Sequence, residues 1–125
     1  MELNQLRNEI FELATRQGFH GVDAHGINQD DLCRKLMLVT SELCEAMEAE
    51  RNGKVSFDPT KVVGTNIPSP AEFASKLRGS IEEEIADAVI RLADIAGMLG
   101  MDLDWWVRAK MEYNYSRPYK HQKEY

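Results

Sequence analysis

The segment from Ile81 to about Leu99 constrains the fold more than any other, because it is apolar around well over half of a helix circumference at about 100° per residue. The pattern Ser80-Ile81-Glu82-Glu83 at its start is typical of a capping box, and Gly100 follows its end. The sequence therefore predicts a long, mostly buried helix. The rest of its surface is a narrow polar stripe, which indicates either a solvated face or a cleft. The stripe contains Glu83, Glu84, Asp87, Arg91 and Asp94.

The remaining segments with helical spacing complete an all-α fold class, a helical bundle of four main helices plus one short helix, with no strand. The other helices are predicted at Glu2 to Gln17, at about Asp30 to Arg51 with Asn28 or Asp30 as the cap, at Pro70 to Leu77 behind Ser69, and from Asp102 to about Tyr113. Two irregular connections are predicted at Phe19 to Gln29 and Gly53 to Pro70. The last helix is expected to turn Trp106 and Met111 inward. A length of 125 residues suits a single domain over residues 1–125.

The charge is unevenly distributed along the chain. The whole sequence has a net charge of −6, which disfavours broad binding to the phosphate backbone of nucleic acid. From Trp105 onward five basic residues stand against two acidic ones, so this region carries +3 and the rest −9. The segment from about residue 114 is therefore a basic, aromatic tail. This distribution suggests that an anionic ligand binds between the acidic body and the tail.

The expected location is the cytoplasm. No apolar run approaches the roughly 20 residues that span a bilayer, and the first residues are polar, so neither membrane insertion nor secretion is expected. Cys33 and Cys44 lie eleven residues apart on one predicted helix, a rise of roughly 16 Å, which is too far for a disulfide. They are expected to be small core residues in a reducing compartment.

Two pairs of carboxylates indicate a possible cation site. Glu42 and Glu45 lie three residues apart on one predicted helix, and Glu84 and Asp87 have the same spacing on another. Such spacing puts both side chains on one side of a helix, where they can reach one hard cation, although single pairs are common by chance. An all-oxygen donor set favours Mg²⁺, with Mn²⁺ possible, over zinc. Because Mg²⁺ usually shares its ligand shell with phosphates, a polyphosphate is the natural ligand.

Basic and amide side chains near the end of the last predicted helix could bind such phosphates. Lys110 and Asn114 lie four residues apart, and Arg117 follows just beyond them. The same spacing is also typical of a solvated helix face that improves solubility. On spacing alone, this interpretation is slightly favoured over phosphate binding.

Three blocks of the sequence together resemble one family. They are Ser41-Glu42-Leu43-Cys44-Glu45-Ala46 with its continuation to Lys54, Glu83-Glu84-Ile85-Ala86-Asp87-Ala88-Val89-Ile90-Arg91, and the ending from Lys110 through Asn114-Tyr115-Ser116-Arg117-Pro118-Tyr119-Lys120-His121. In these blocks the chain resembles the MazG-like all-α nucleoside triphosphate pyrophosphohydrolases. The likeness is weakest from Phe19 to Asn28 and from Val55 to Pro70, and His20 stands where family members often carry an aromatic residue.

The resemblance implies a Mg²⁺-dependent hydrolase that cleaves a nucleoside triphosphate between its α and β phosphorus atoms. The metal would be held by Glu42, Glu45, Glu84 and Asp87. By the same likeness Lys110, Asn114 and Arg117 would contact phosphates, and Arg91 would face the site. One of the four carboxylates, with Glu45 favoured, is expected to accept the proton of the attacking water. The resemblance also implies a core completed by dimerisation, in a homodimer or homotetramer, and a role in nucleotide pool sanitation or control.

Two other classes of function fit parts of the pattern. In a non-catalytic helical interaction module the carboxylates are solvated faces, and Mg²⁺ with nucleotide gives no thermal shift. In a nucleotide-sensing module the ligand binds without release of pyrophosphate. A ferritin-like di-iron bundle is disfavoured because its Glu-x-x-His pairs do not occur, and His25 and His121 are interpreted as solvated loop and tail residues.

Overall fold

The structure, a computed structural model, describes residues 2–54 and 58–118. Within these ranges the chain forms helices and no strand, which confirms the all-α prediction there. The helices are α1 (Leu3–Arg16), α2 (Leu32–Arg51), α3 (Thr60–Val63), α4 (Pro70–Lys76), α5 (Ile81–Met98) and α6 (Leu103–Tyr115). The predicted loop between α1 and α2 contains an isolated bridge between Val22 and Asn28. In the described ranges no helix combines the length and the apolar character needed to cross a bilayer.

Local caps explain where most of these helices begin. Ser69 accepts a hydrogen bond from the Glu72 N–H, as the sequence predicts. Asp102 accepts one from the Trp105 N–H at the start of α6. The prediction for α2 was wrong, because its cap is Asp31, whose carboxylate accepts from the Arg34 N–H at 2.8 Å. The two residues predicted for this role serve the preceding loop. The Asp30 carboxylate accepts from the Gly21 N–H, and the Asn28 side chain accepts from the Asp30 N–H.

The connection between α2 and α4 is less irregular than predicted, because it contains the short helix α3. The Asp58 carboxylate accepts hydrogen bonds from the Thr60 N–H and hydroxyl at 3.0 and 2.6 Å, which fixes the start of this helix. Gly64, with φ of +85°, ends it. Helix α3 packs against α4. The predicted irregular segment at residues 55–57 lies outside the described residues.

The described chain forms two compact units, and α5 contributes residues to both. One unit comprises the described residues of Met1–His20 and Ala93–Tyr125, in which α1 packs against α6. There the Asp104 carboxylate accepts hydrogen bonds from the Leu3 and Asn4 N–H groups, both at 3.0 Å. The other unit is Gly21–Leu92 and contains α2, α3, α4 and the first two thirds of α5. The single domain over residues 1–125 stays a prediction.

Burial in the single chain is lower than the sequence predicts. Ile85 and Val89 of α5 are 50% and 49% exposed, so the prediction of a mostly buried helix is wrong for one copy of the chain. The buried apolar side chains are mainly small, and they are Val39, Ala46, Ala49, Ala88, Ala93, Ile95 and Ala96. Trp106 and Met111 of α6 are also exposed, as are Cys33 and Cys44, against the prediction for each. The apolar surface of these helices is wider than the part of it that other helices of the same chain cover.

Candidate functional site

Helix α2 brings one carboxylate onto its buried face and a second beside it. Glu42 lies three residues after Val39 and four before Ala46, and all three are buried because they share one helical stripe. Only 7% of Glu42 is exposed. Glu45, one turn further along, is exposed. The helix therefore presents one carboxylate that is mostly removed from water and one that water reaches.

The start of α5 is fixed by a reciprocal cap. The Ser80 hydroxyl accepts from the Glu83 N–H at 3.2 Å, and the Glu83 carboxylate accepts from the Gly79 N–H at 2.5 Å. This cap sets the rotation of the first turn, in which Glu84 lies, and Asp87 follows one turn later on the same side. Both residues are partly buried.

Three of the four predicted metal-binding carboxylates lie close together. One carboxylate oxygen from each of Glu42, Glu84 and Asp87 lies within 4.8 Å of the others. The fourth, Glu45, adjoins this group through a hydrogen bond with Glu84. All four belong to the unit Gly21–Leu92. We refer to these four residues as the carboxylate cluster.

Electrostatics show that the carboxylate cluster is crowded with negative charge. Burial and then the hydrogen bond and charge of Glu45, with smaller contributions from Glu83 and Glu42, raise the pKa of Glu84 to about 7. Near neutral pH the protonated Glu84 carboxyl can therefore donate a hydrogen bond to the Glu45 carboxylate. Burial and then the charges of Glu42 and Glu83 raise the pKa of Asp87, while Arg91 partly opposes the rise. An oxygen-only donor set with this much repulsion suits a hard divalent cation, which would hold the groups ionised.

Arg91 lies one helical turn after Asp87 and contacts the carboxylate cluster directly. Its Nε donates a hydrogen bond to Glu42 Oε1 at 2.5 Å. The family resemblance implies that Arg91 faces the site as a substrate-binding residue, and in the structure it bonds to Glu42, one of the predicted metal ligands.

The predicted phosphate-binding residues Lys110, Asn114 and Arg117 belong to the unit that contains α1 and α6. The Lys110 ammonium lies 4.5 Å from the centroid of the Tyr113 ring, and the Arg117 guanidinium carbon lies 5.6 Å from it. The Asn114 carbonyl accepts from the Arg117 N–H at 3.2 Å. The structure thus gathers two of the three predicted residues around one aromatic ring. The end of the predicted tail, including His121, lies outside the described residues.

Sequence reasoning missed an interaction within the unit of α1 and α6. His20 Nε2 lies 2.7 Å from Asp94 Oδ1, and both side chains are largely buried. The His20 ring also contacts Phe11, with 4.5 Å between the ring centroids. Asp94 was recognised only as a member of the polar stripe, and no spacing in the sequence relates it to His20, 74 residues earlier.

An apolar cavity of about 200 Å³ adjoins the start of α5. Its walls include Pro59, Phe73, Leu77 and Ala86, with Glu83 at its edge. The cavity lies within the same unit as the carboxylate cluster and could accept an apolar group.

Comparisons with known proteins found no match: no family model, no curated protein and no solved structure matches the chain. The candidate site is therefore defined by its own residues and their geometry.

Proposed function

We propose that this chain is a hydrolase of the MazG-like type that converts a nucleoside triphosphate to the monophosphate and pyrophosphate with Mg²⁺, or Mn²⁺ in its place. The observation that carries the proposal is the approach of Glu42, Glu84 and Asp87 to within 4.8 Å at their carboxylate oxygens. Crowded carboxylates without enough cations are unfavourable in a fold, so their presence here favours a function that uses their charge. The proposed setting is cytoplasmic nucleotide metabolism, in sanitation or control of the pool.

The four residues of the carboxylate cluster would hold the metal. When bound, a divalent ion polarises the phosphates and lowers the pKa of a coordinated water. Glu42 is buried and bound to Arg91, so it supplies a fixed oxygen ligand. Glu45 is exposed, so water reaches its carboxylate, and it would accept the proton of the water that attacks the α phosphorus.

Positive side chains would bind the phosphates that the metal leaves uncovered. Arg91 adjoins the carboxylate cluster, and Lys110, Asn114 and Arg117 form a second set at the end of α6. Arginine suits this role because its planar guanidinium can donate two parallel hydrogen bonds to one phosphate.

A second copy of the chain would complete the core, in a homodimer or homotetramer. Large apolar side chains on α2 and α5 are about half exposed in the single chain, among them Leu43, Ile85, Val89 and Leu92. Exposed apolar residues at this density on long helices are typical of an interface between protein chains.

The test is an assay of the purified chain against a panel of canonical and modified triphosphates, with and without Mg²⁺, that measures both pyrophosphate and monophosphate. We expect Mg²⁺-dependent release of both products, and we expect Asp87→Asn to abolish it while helical content by circular dichroism is unchanged. Glu48→Gln is the matched control, since Glu48 is an exposed carboxylate of α2 whose partner is Arg51. Full activity in Asp87→Asn would defeat the assignment of the site.

The same assay separates the proposed enzyme from the two non-catalytic functions. A nucleotide-sensing module would bind Mg²⁺ and triphosphate without releasing pyrophosphate. A helical interaction module would show no increase in melting temperature when Mg²⁺ and nucleotide are added together.

A further inference from the structure

The contact between Arg91 and Glu42 joins a predicted phosphate-binding residue to a predicted metal ligand. The two residues lie 49 positions apart in the sequence, on α5 and α2, and their bond is 2.5 Å long. The Glu42 side chain is 9% exposed, so its charge is poorly solvated and depends on a nearby cation. The structure places the Arg91 guanidinium against this carboxylate.

A guanidinium at this position opposes a divalent cation at the same carboxylate. Both are positive and both are attracted by Glu42, so each reduces the attraction of this carboxylate for the other. The same charge also reduces the negative potential at Asp87, one turn earlier on α5. Arg91 therefore weakens the attraction of the carboxylate cluster for a metal ion that arrives alone.

The geometry of Arg91 leaves part of its guanidinium available to an anion. The bond to Glu42 uses Nε, and the side chain is 40% exposed, so water reaches it. An arginine carries five N–H donors, of which four are on the two terminal nitrogens. Those terminal nitrogens suit the oxygens of a phosphate, which would place negative charge between the guanidinium and a bound ion.

We propose that Arg91 couples the binding of the divalent metal to the binding of the polyphosphate, by opposing the ion until a phosphate neutralises its guanidinium. The inference rests on the proposed function, because it takes the carboxylate cluster as the metal site. Arg91 would then position the Glu42 carboxylate as well as contact a phosphate. Because such coupling is reciprocal, metal and polyphosphate would each raise the affinity of the protein for the other.

The experiment is isothermal titration of the full chain with Mn²⁺ alone, and then with a preformed complex of Mn²⁺ and a triphosphate whose α–β bridging oxygen is replaced by NH, which resists cleavage there. Wild type is compared with Arg91→Gln, which removes the charge, and with Arg91→Lys, which keeps the charge but not the fork. Arg51→Gln is the matched control for the loss of one positive charge, because Arg51 is an exposed residue of α2 about two and a half turns from Glu42.

We expect Arg91→Gln to bind Mn²⁺ alone several-fold more tightly than wild type, and to bind the complex at least tenfold more weakly. Arg91→Lys should bind Mn²⁺ alone as wild type does and bind the complex more weakly, and Arg51→Gln should match wild type in both titrations. If Arg91→Gln does not fold, Arg91→Met, which also removes the charge, takes its place in both titrations with the same expected and overturning results.

Two other results also overturn the inference. An unchanged affinity of Arg91→Gln for Mn²⁺ alone would make Arg91 a phosphate contact only, and a weaker affinity would make it a simple support for Glu42. In both cases wild type still binds the metal, so the proposed function survives. If wild type binds neither Mn²⁺ nor the complex, the proposed function itself fails.

Discussion

Carboxylates at the start of α6 and carboxylates of α2 and α5 have opposite surroundings. The Asp104 carboxylate accepts hydrogen bonds from the Leu3 and Asn4 N–H groups, and these bonds lower its pKa below the usual value. In the carboxylate cluster, by contrast, burial and neighbouring acids raise the pKa values of Glu84 and Asp87. Asp104 is surrounded by donors, whereas Glu84 and Asp87 are surrounded mainly by other carboxylates.

The difference separates carboxylates that stabilise the fold from those that strain it. Donors around a carboxylate favour its ionised form, so folding and ionisation support each other. Crowded acids disfavour the ionised form, so at neutral pH they oppose folding unless a cation joins them. Sites of this second kind tend to be functional.

Two isosteric variants, Glu84→Gln and Asp104→Asn, should change activity and stability in opposite ways, and these are the greatest changes that we expect. Glu84→Gln should lower the proposed pyrophosphohydrolase activity to less than about one hundredth of wild type, because the proposed metal site loses one of its ligands. The same change should raise the melting temperature without metal at pH 8, because it removes a repelled charge. Product release and thermal unfolding measure the two effects.

Asp104→Asn is the opposite member of this pair. It should lower the melting temperature and leave turnover at the wild-type level, since Asp104 bonds only to the start of α1. A loss of both activity and stability in Glu84→Gln would mean that the carboxylate cluster supports the fold in the same way as Asp104.

Contacts between residues that are close together in the sequence could be predicted from the sequence. Caps join residues three apart, so Ser69 and Ser80 were identified from spacing alone. The cap of α2 was missed because three candidates stand within four residues, and bonds in the preceding loop decide which one is used.

Contacts between distant parts of the chain could not be predicted in the same way. Helical spacing indicates which side chains share a face, and this was enough to select Glu84 with Asp87. It does not indicate what that face meets, so the bond from Arg91 to Glu42 and the bond between His20 and Asp94 were both missed. An apolar pattern also shows where a helix can be covered, but not whether a single copy of the chain covers it.

The second prediction concerns close packing in the unit of α1 and α6. A Cβ atom added at Gly97 would lie 2.7 Å from Phe11 Cβ and 2.9 Å from its Cγ, so Gly97→Ala forces α1 or α5 to shift. We expect the free energy of unfolding to fall by about 1–3 kcal/mol, as is usual for overpacking. Denaturant unfolding measures the loss. Gly97→Ala should cost less stability in a Phe11→Ala background than in wild type, because the contacts with Phe11 Cγ and Cδ2 are removed while the contact with Cβ stays. If Gly97→Ala leaves the free energy of unfolding unchanged, the contact between Gly97 and Phe11 is not tightly packed.

The third prediction concerns the acid limit of stability at Asp102 and Asp104. Both have pKa values below the usual 3.8 because they accept hydrogen bonds, so they favour the folded state above that pH and cease to do so as the pH falls through their lowered pKa values. Asp104→Asn should therefore lower the melting temperature by several degrees at pH 6 and by less at pH 3. Thermal scans at the two values measure this, and an equal loss at both would contradict a role for the ionised carboxylate.

The smallest change that we expect is in the pH dependence of stability without metal. The carboxylate cluster should lower stability as the pH rises, which is the opposite of the effect of Asp102 and Asp104. The pKa of Glu84 is about 7 in the folded chain and 4.5 ordinarily, so the folded state binds more protons than the unfolded state between these values. Stability should therefore fall as the pH rises from about 4.5 to about 7, and solvent screening should limit the change to a degree or two in melting temperature. Comparison with Glu84→Gln isolates this contribution, because glutamine does not titrate.

Mn²⁺ at pH 7 should also release about half a proton from Glu84 as it binds, which titration in buffers of different ionisation enthalpy measures. If wild type and Glu84→Gln have parallel pH profiles and Mn²⁺ releases no proton, Glu84 is already ionised in the fold, and the carboxylate cluster is no more strained than the caps of α6.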